Sequence, residues 1–270
     1  MSFTFDEFAV FLAATIILSS VVPGRAQWLV LLIASYVYYY ASSGIAYLSA
    51  IIAISGVTYV CTGRLTTGSK KERRVWLIIC LVFTVGCLLA FKYSVVTVRI
   101  LEGLAFMGFK QNSVGLQDAI MPIGISFYAL QAMGYVIDVY RGSCQPEKHF
   151  GRIALFISFF PLVLSGPIER ADNLLSQFRG VPKARTEDIM LGFKRILWGL
   201  FKKIVIADRL AVIVDGAYGD PYGYSGFSLL LATGLFSIQI YCDFSGYCDI
   251  AIGAAKMLGY RVSENFARPY

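Results

Sequence analysis

Six uncharged stretches of 16 to 38 residues constrain this chain more than any other feature of its sequence. The hydrocarbon core of a bilayer is about 30 Å thick, and about 20 helical residues cross it. Strands of membrane β-barrels are about 10 residues long and alternate in polarity, whereas these runs are continuous. The sequence therefore predicts an all-α, polytopic transmembrane bundle. The six stretches cover residues 8–24, 26–63, 75–91, 119–137, 153–168 and 221–242.

The composition excludes several other classes of protein. Of the 270 residues, 57% are hydrophobic and 15% are charged, against about 25% charged residues in a typical soluble domain. Disordered chains are poor in apolar residues, and six cysteines spread over so long a chain do not indicate a disulfide framework. The net charge of +7 does not indicate nucleic-acid binding, because the basic residues lie between apolar runs.

Positive charges in short loops predict the orientation of the first four spans, because cytoplasmic loops are enriched in Lys and Arg. The loop 62–74 carries five basic residues against one acid, so we expect it in the cytoplasm, together with Arg25. Asp6 and Glu7 then lie outside, and an acidic start of this kind is not a cleaved signal peptide. The predicted spans cover about 5–22, 28–41, 45–61 and 75–91.

The pattern is less regular after the fourth span. We expect an interfacial helix over 95–109 and a fifth span over 119–139. The run 153–168 is short and contains two prolines, so it is predicted to be broken or re-entrant. Membrane proteins tolerate such backbone only inside the protein or beside a wet cavity. No repeat or low-complexity segment divides the sequence, which is predicted to form a single domain over 1–270.

An amphipathic helix is predicted to start at an N-cap, Thr186, with acids in its first turn. Its apolar residues share one side, and four cations fall on the other. These candidate interfacial cations are Lys194, Arg195, Lys202 and Lys203. Such a helix commonly lies in the membrane interface with its cations toward anionic lipid headgroups, which is the interpretation we favour. The alternative is that some of these cations meet an anionic group of a substrate.

The last apolar stretch, about 226–259, contains polar residues in its middle, where they are costly in a membrane. Gln239 and Asp243 are four residues apart and share one helical face, and Ser245 and Asp249 share another. Two interpretations remain open. The four residues line a polar cavity within the bundle, or they form hydrogen bonds between helices, with small residues allowing close packing.

Residues suited to general-base or metal chemistry are scarce. The single histidine, His149, lies in a hydrophilic loop outside every apolar run and is predicted to be solvated. The six cysteines form neither a CxxC pair nor a Cys/His cluster, so no metal site is predicted. The sequence contains no phosphate-binding loop and no dinucleotide fingerprint. Composition and spacing by themselves therefore indicate no reaction.

Five motifs, in order along the chain, resemble the membrane-bound O-acyltransferase (MBOAT) family. The first combines MPIGISFY with YVIDVYRG, and the last is ENFARPY. The five motifs lie at 121–128 with 135–142, at 159–161 with 166–170, at 199–208, at 243–253 and at 264–270. The branch that this pattern resembles most is the membrane subunit that O-acetylates alginate. The resemblance covers essentially the whole chain and implies a helical bundle with re-entrant and interfacial helices.

The resemblance implies transfer of an acyl group across the membrane. The group, acetyl in the polysaccharide branch, comes from a cytoplasmic donor such as acetyl-CoA or an acyl carrier. It passes through a tunnel among the helices to an exported polysaccharide, with the help of periplasmic partner proteins. The expected location is the bacterial inner membrane, in contact with its lipids. Gln239, Asp243, Ser245 and Asp249 are then candidate tunnel or supporting residues.

The family's catalytic histidine belongs to a Trp-His block that follows the last motif, and this chain stops at Tyr270. We therefore expect the sequence to be the N-terminal part of such an enzyme, with its C-terminal part absent and no catalytic residue of its own. His149 stands in a different context and does not replace that histidine. The alternatives are a truncated, non-catalytic scaffold or split subunit, and a transporter of lipid-linked sugars.

Overall fold

A computed structural model of the chain describes residues 5–92, 124–163, 166–180, 182 and 184–266. Within these ranges, every regular element is a helix, which confirms the predicted all-α fold. Short 3-10 turns cover Gly24–Ala26 and Pro221–Gly223, and a π-helical segment, Phe201–Ala207, joins the helices Thr186–Leu200 and Asp208–Gly219. The helices are α1 (Phe5–Val21), α2 (Gln27–Ser43), α3 (Ile45–Arg64), α4 (Lys70–Lys92), α5 (Ile125–Arg141), α6 (Phe150–Ser158), α7 (Phe160–Val163), α8 (Ala171–Arg179), α9 (Thr186–Leu200), α10 (Asp208–Gly219) and α11 (Gly226–Met257).

The first four predicted spans correspond to α1 to α4, although two helices extend beyond the apolar runs. Helix α3 continues to Arg64, and α4 begins at Lys70. Charged residues at helix ends do not interrupt the backbone hydrogen bonds, so the helices include the flanking cations. Of the predicted fifth span, the structure describes α5. The proposed interfacial helix over 95–109 lies outside the described residues.

The exposed surface of the described residues is that of a membrane protein. Two helices, α4 and α11, are long and apolar enough to cross a bilayer. Large apolar side chains stand exposed on several helices, including Val10 (72%), Val82 (65%) and Leu230 (70%). Soluble monomers rarely expose apolar surface on this scale. Hydrocarbon in place of water removes the cost of that exposure.

The core is built around the short helices α6 and α7. Every residue from Ile153 to Val163 is buried, and α6 packs against α2, α3, α5 and α8. As the prolines and the short length predicted, this run is broken: α6 ends at Ser158, and α7 starts at Phe160. The backbone N–H of Phe160 donates to Ser35 Oγ at 3.1 Å. The break is therefore buried and hydrogen-bonded, as non-helical backbone at membrane depth requires.

Gly124, in the first of the five motifs, lies where the start of α5 meets the end of α7. Its φ of +75° is left-handed, and a Cβ built there would lie 1.9 Å from the carbonyl oxygen of Val163. A side chain would have to displace the backbone of α7. The glycine therefore permits both the conformation and the contact.

Replacing Gly124 with alanine is expected to destabilise the fold by about 3 kcal/mol or more, because the Cβ clash adds to backbone strain. The measurement is thermal or denaturant unfolding of the purified protein in detergent. Gly134→Ala is the matched control, since no described residue outside its own helical backbone lies within 4 Å of its built Cβ, and alanine favours a helix interior. Equal stability of both variants would contradict this account of Gly124.

Candidate functional site

Helix α9 begins where the sequence predicted, but its cap differs. Thr186 is the first helical residue, and the N-cap is Arg185. The backbone N–H of Arg185 donates to Asp188 Oδ2 at 3.3 Å. The Asp188 carboxylate thus accepts a hydrogen bond from a backbone N–H that has no partner within the helix.

Helices α9 and α11 approach each other through two pairs of glycines. A Cβ on Gly192 would lie 2.6 Å from the carbonyl oxygen of Gly253, and one on Gly246 would lie 2.9 Å from that of Gly199. The glycines are seven residues apart on each helix and pair in reverse order, so the helices run antiparallel. Their backbones come close enough for side chains of one helix to reach the other. The seven-residue spacing of these glycines was visible in the sequence, but from the sequence we predicted only that small residues of this stretch allow close packing.

This approach brings two cations onto one buried carboxylate. Arg195 Nε donates to Asp249 Oδ1 at 3.0 Å, and Lys202 Nζ contacts Asp249 Oδ2. Lys202 Nζ also donates to Ser245 Oγ at 3.1 Å. Lys202 is 9% exposed and Asp249 is 7% exposed, so these charges are largely removed from solvent. Ser245 and Asp249 share a helical face, because both contact the same ammonium group.

The next lysine forms a second, more open cluster. Lys203 Nζ lies 2.6 Å from Asp243 Oδ1 and 2.8 Å from Asp208 Oδ1, and 5.3 Å from the ring centroid of Tyr247. The Asp243 side chain is 42% exposed. The wider π-helical turn over Phe201–Ala207 places adjacent lysines against different acids. Segments of this type often occur at functional sites.

The chain after α11 turns back along that helix and joins the same network. Glu264 contacts Arg195 through both carboxylate oxygens. The ring of Phe266 packs against those of Tyr241 and Phe244, at centroid distances of 5.8 and 5.1 Å. Phe244 precedes the end of α11 by about 20 Å at a rise of 1.5 Å per residue. The segment 258–266 therefore runs back alongside α11, from its C-terminal end to the level of Phe244.

Glu169 anchors the other side of this segment. Its carboxylate is buried and accepts hydrogen bonds from Ser263 Oγ at 2.8 Å and Asn173 Nδ2 at 3.1 Å. Gln177 Nε2 also donates to the Arg261 carbonyl at 2.7 Å. No role for Glu169 was predicted from the sequence. The signal that could have identified it was its place in the second motif, two residues after a Gly-Pro pair.

Three of the four cations that were predicted to face lipid headgroups form ion pairs within the protein. These three, Arg195, Lys202 and Lys203, each contact acids of the same chain. The acids come from α11, α10 and the segment 258–266, and no periodicity within α9 could reveal those neighbours. Lys194 is exposed and stands apart from the network. The three cations face four acids, Asp208, Asp243, Asp249 and Glu264, which leaves a net charge of −1.

Gln239 is separate from these ion pairs. Its Oε1 is buried and has no hydrogen-bond partner within the described ranges. His149 is exposed and packs against Trp28 at a centroid distance of 4.7 Å, in the loop before α6. The six cysteines are free, and the part of the chain that the structure describes contains no cluster of His, Cys, Asp and Glu side chains that could hold a metal.

Known proteins with similar sequences match most of this chain. The probable alginate O-acetylase of Pseudomonas syringae pv. tomato is 34% identical over 255 residues, which cover 91% of this chain and 47% of that protein. The predicted family resemblance is confirmed. The chain is homologous to membrane-bound O-acyltransferases along about nine-tenths of its length, and it spans about half the length of the relatives that it matches most fully. No protein-family model matches the sequence.

Two further relatives differ in the polymer that their names specify. The peptidoglycan O-acetyltransferase of Helicobacter pylori is 29% identical over 270 residues, covering 90% of this chain and 50% of that protein. The teichoic acid D-alanyltransferase of Streptococcus thermophilus is 25% identical over 162 residues, covering 58% and 39%. All three names specify transfer of an acyl group and a polymer that receives it.

Replacing Asp249 with Asn is expected to destabilise the fold by about 3 kcal/mol, because it leaves Arg195 and the buried Lys202 ammonium without their shared carboxylate. Unfolding of the purified protein in detergent measures this change. Asp215→Asn is the control, since this acid is exposed on α10 and the same charge is removed. An unchanged stability of Asp249→Asn would contradict the central place given to this carboxylate.

Proposed function

We propose that this protein transfers an acyl group, specifically an acetyl group, to hydroxyl groups of an exported cell-envelope polysaccharide. The observation that carries the proposal is homology over 91% of the chain to a protein named as an alginate O-acetylase. A relative named for peptidoglycan supports the broader substrate class. The D-alanyltransferase supports acyl transfer as the shared chemistry while differing in the group moved.

The proposed reaction joins a hydroxyl oxygen to an acyl carbon. A base takes the hydroxyl proton, the oxygen attacks the carbonyl carbon of the activated donor, and the donor's leaving group departs. The donor we propose is cytoplasmic, either acetyl-CoA or an acylated carrier, and both present the acyl group as a thioester. The family resemblance supports a histidine of the Trp-His block as the base. The network on α9 to α11 would hold the surrounding helices in place.

We propose different roles for the four polar residues of α11. Asp249 and Ser245 are engaged by Lys202, so their part is to fix the packing of α9 on α11. Asp243 keeps a partly exposed carboxylate within an apolar helix, and Gln239 keeps a carbonyl oxygen without a partner among the described residues. Groups of this kind at membrane depth commonly line a polar passage. These two residues are our candidates for the wall of the acyl or acceptor path.

The proposed setting is the inner membrane of a bacterium, crossed several times by the chain. The segment 62–74, which joins the end of α3 to the start of α4, would lie in the cytoplasm, because it carries the densest positive charge, and the N-terminus would lie outside. Periplasmic proteins would complete the transfer to the polymer. This arrangement places the donor and the acceptor on opposite sides of the bilayer.

The test compares ester content of the exported polysaccharide in strains with and without the gene. Mild alkaline release followed by acetate quantification is the measurement, and complementation with the gene is expected to restore the ester. If deletion leaves the ester content of every exported polymer unchanged, the acyltransferase proposal fails. If the polymer is no longer exported, a transporter is the better explanation.

Asp243→Asn is expected to lower acyl transfer about tenfold or more while leaving expression intact. Folding should persist because Lys203 retains Asp208 as a partner. Acetate release from the polymer and unfolding of the purified variant are measured together, with Asp215→Asn as the control for loss of an exposed acid. Unchanged transfer and expression would remove Asp243 from the proposed passage.

A further inference from the structure

We infer a binding site for a phosphate group in a cavity between the C-terminal end of α3 and the loop that precedes α6. This site is separate from the network of α9 to α11 and does not depend on the proposed acyl transfer. The cavity has a volume of about 520 Å³. Arg64, Thr66 and Thr67 line one side, and Glu147 and Lys148 line the other.

The cavity walls offer two cations and the Thr67 hydroxyl, which are donors of the kind that bind phosphate. Arg64 and Lys148 are both exposed, so their charged groups are accessible. The guanidinium carbon of Arg64 lies 6.0 Å from the centre of the Trp76 ring. A cation–π contact at this distance leaves the N–H groups of the guanidinium available for an anion. On the opposite wall, Tyr59 Oη donates to the carbonyl of Lys148 at 3.1 Å, which fixes the backbone of that lysine.

Glu147 is the one acid among the described residues that line the cavity, and its charge is already compensated. Arg179 Nε donates to Glu147 Oε2 at 2.6 Å, Arg152 lies 3.6 Å from Oε1, and the backbone N–H of His149 donates to Oε1 at 3.0 Å. Burial opposes ionisation of this carboxyl, but the Arg179 hydrogen bond and the other donors hold the pKa of Glu147 below its usual value. It is therefore an anion paired with two cations.

The electrostatic balance around the cavity favours an anion. Among the described residues that line the cavity, Arg64 and Lys148 stand against the single charge of Glu147, which leaves one positive charge in excess. Arg152 and Arg179 lie outside this lining and pair with Glu147, so they neutralise its charge and leave Arg64 and Lys148 available for an anion.

The end of α3 contributes an opposing effect, since the carbonyl end of a helix repels anions. Two of its carbonyls are already engaged: the N–H of Leu65 donates to Cys61 O at 3.0 Å, and Thr66 Oγ1 donates to Gly63 O at 3.0 Å. The remaining dipole acts over one turn and is worth less than a full charge. The two lining cations, Arg64 and Lys148, therefore outweigh it.

The position of the cavity suits a phosphate at the membrane surface. Arg64 is the last residue of α3, and the membrane-spanning candidate α4 begins six residues later at Lys70. Charged residues at the ends of apolar helices lie at the headgroup level. A phosphate in the cavity could belong to an anionic lipid headgroup or to a soluble phosphate compound, and both present the same oxygens.

The experiment measures binding to the intact, full-length protein in nanodiscs. In one arm, native mass spectrometry counts the phosphatidylglycerol and phosphatidylcholine molecules that remain bound to the protein, and the two numbers are compared. In the other arm, pyrophosphate is titrated into phosphatidylcholine nanodiscs, with tryptophan fluorescence as the signal because the Trp76 ring lies 6.0 Å from the Arg64 guanidinium. Preference for phosphatidylglycerol without pyrophosphate binding identifies a lipid site, and pyrophosphate binding without lipid preference identifies a site for free phosphate. Either result supports the inference.

The decisive variant is Arg64→Gln with Lys148→Gln, which is expected to weaken binding about 100-fold, at about tenfold for each charge-assisted hydrogen bond lost. Lys70→Gln with Lys71→Gln is the matched control. It removes the same charge from exposed positions outside the cavity lining and should weaken binding less than about fivefold.

Three results would overturn the inference: the wild type binds neither ligand above background, the cavity variant binds as well as the wild type, or both double variants weaken binding equally. The last result would mean that the basic surface attracts anions without a specific site. Unfolding in phosphatidylcholine nanodiscs checks that the cavity variant is folded. Should it be unstable, Lys148→Gln alone, with an expected tenfold loss, provides the same test.

Discussion

The ion pairs of Asp249 with Arg195 and Lys202 are the interaction on which the C-terminal part of the described fold depends. Three charged side chains are brought together beside an apolar helix, where an unpaired charge would be strongly destabilising. Their pairing requires that α9 and α11 approach closely, and the two glycine pairs permit that approach. Arg195 extends the constraint by also binding Glu264, so one guanidinium joins two helices to the segment 258–266.

The segment 258–266 is held from two directions. Arg195 binds it on the side of α9, and Glu169 binds it on the side of α8. Both contacts use carboxylates, whose two oxygens can accept several donors at once. The result is non-helical backbone beside α11 in which side chains bind the backbone of Arg261 and Ser263. The buried break between α6 and α7 is stabilised in the same way by Ser35. In both places, side-chain hydrogen bonds take over where helical hydrogen bonding stops.

The two halves of α11 differ in structure, and this difference connects the fold to the proposed function. Its C-terminal half is packed against α9 through glycines and paired charges, which makes it rigid. Its N-terminal half carries exposed apolar residues, such as Leu230, and ends near the open cluster of Lys203 and Asp243. Polar groups that stay partly exposed in an apolar helix are suited to a passage for substrates, whereas the fully paired ones are suited to support.

The sequence by itself determined that the chain is helical and embedded in a membrane, because uncharged runs of this length are stable in helices that satisfy their own backbone. It also placed the first four helices to within about five residues, predicted that the run 153–168 is broken or re-entrant, and carried the motifs that resemble the family. The apolar and polar faces of α9 were visible, but not what each would meet. Only the tertiary structure decided that Arg195, Lys202 and Lys203 face acids, that Glu169 is buried, and that the chain turns back after α11. The physical reason is that periodicity describes one helix at a time, whereas the energy of a charge depends on partners that are distant in sequence.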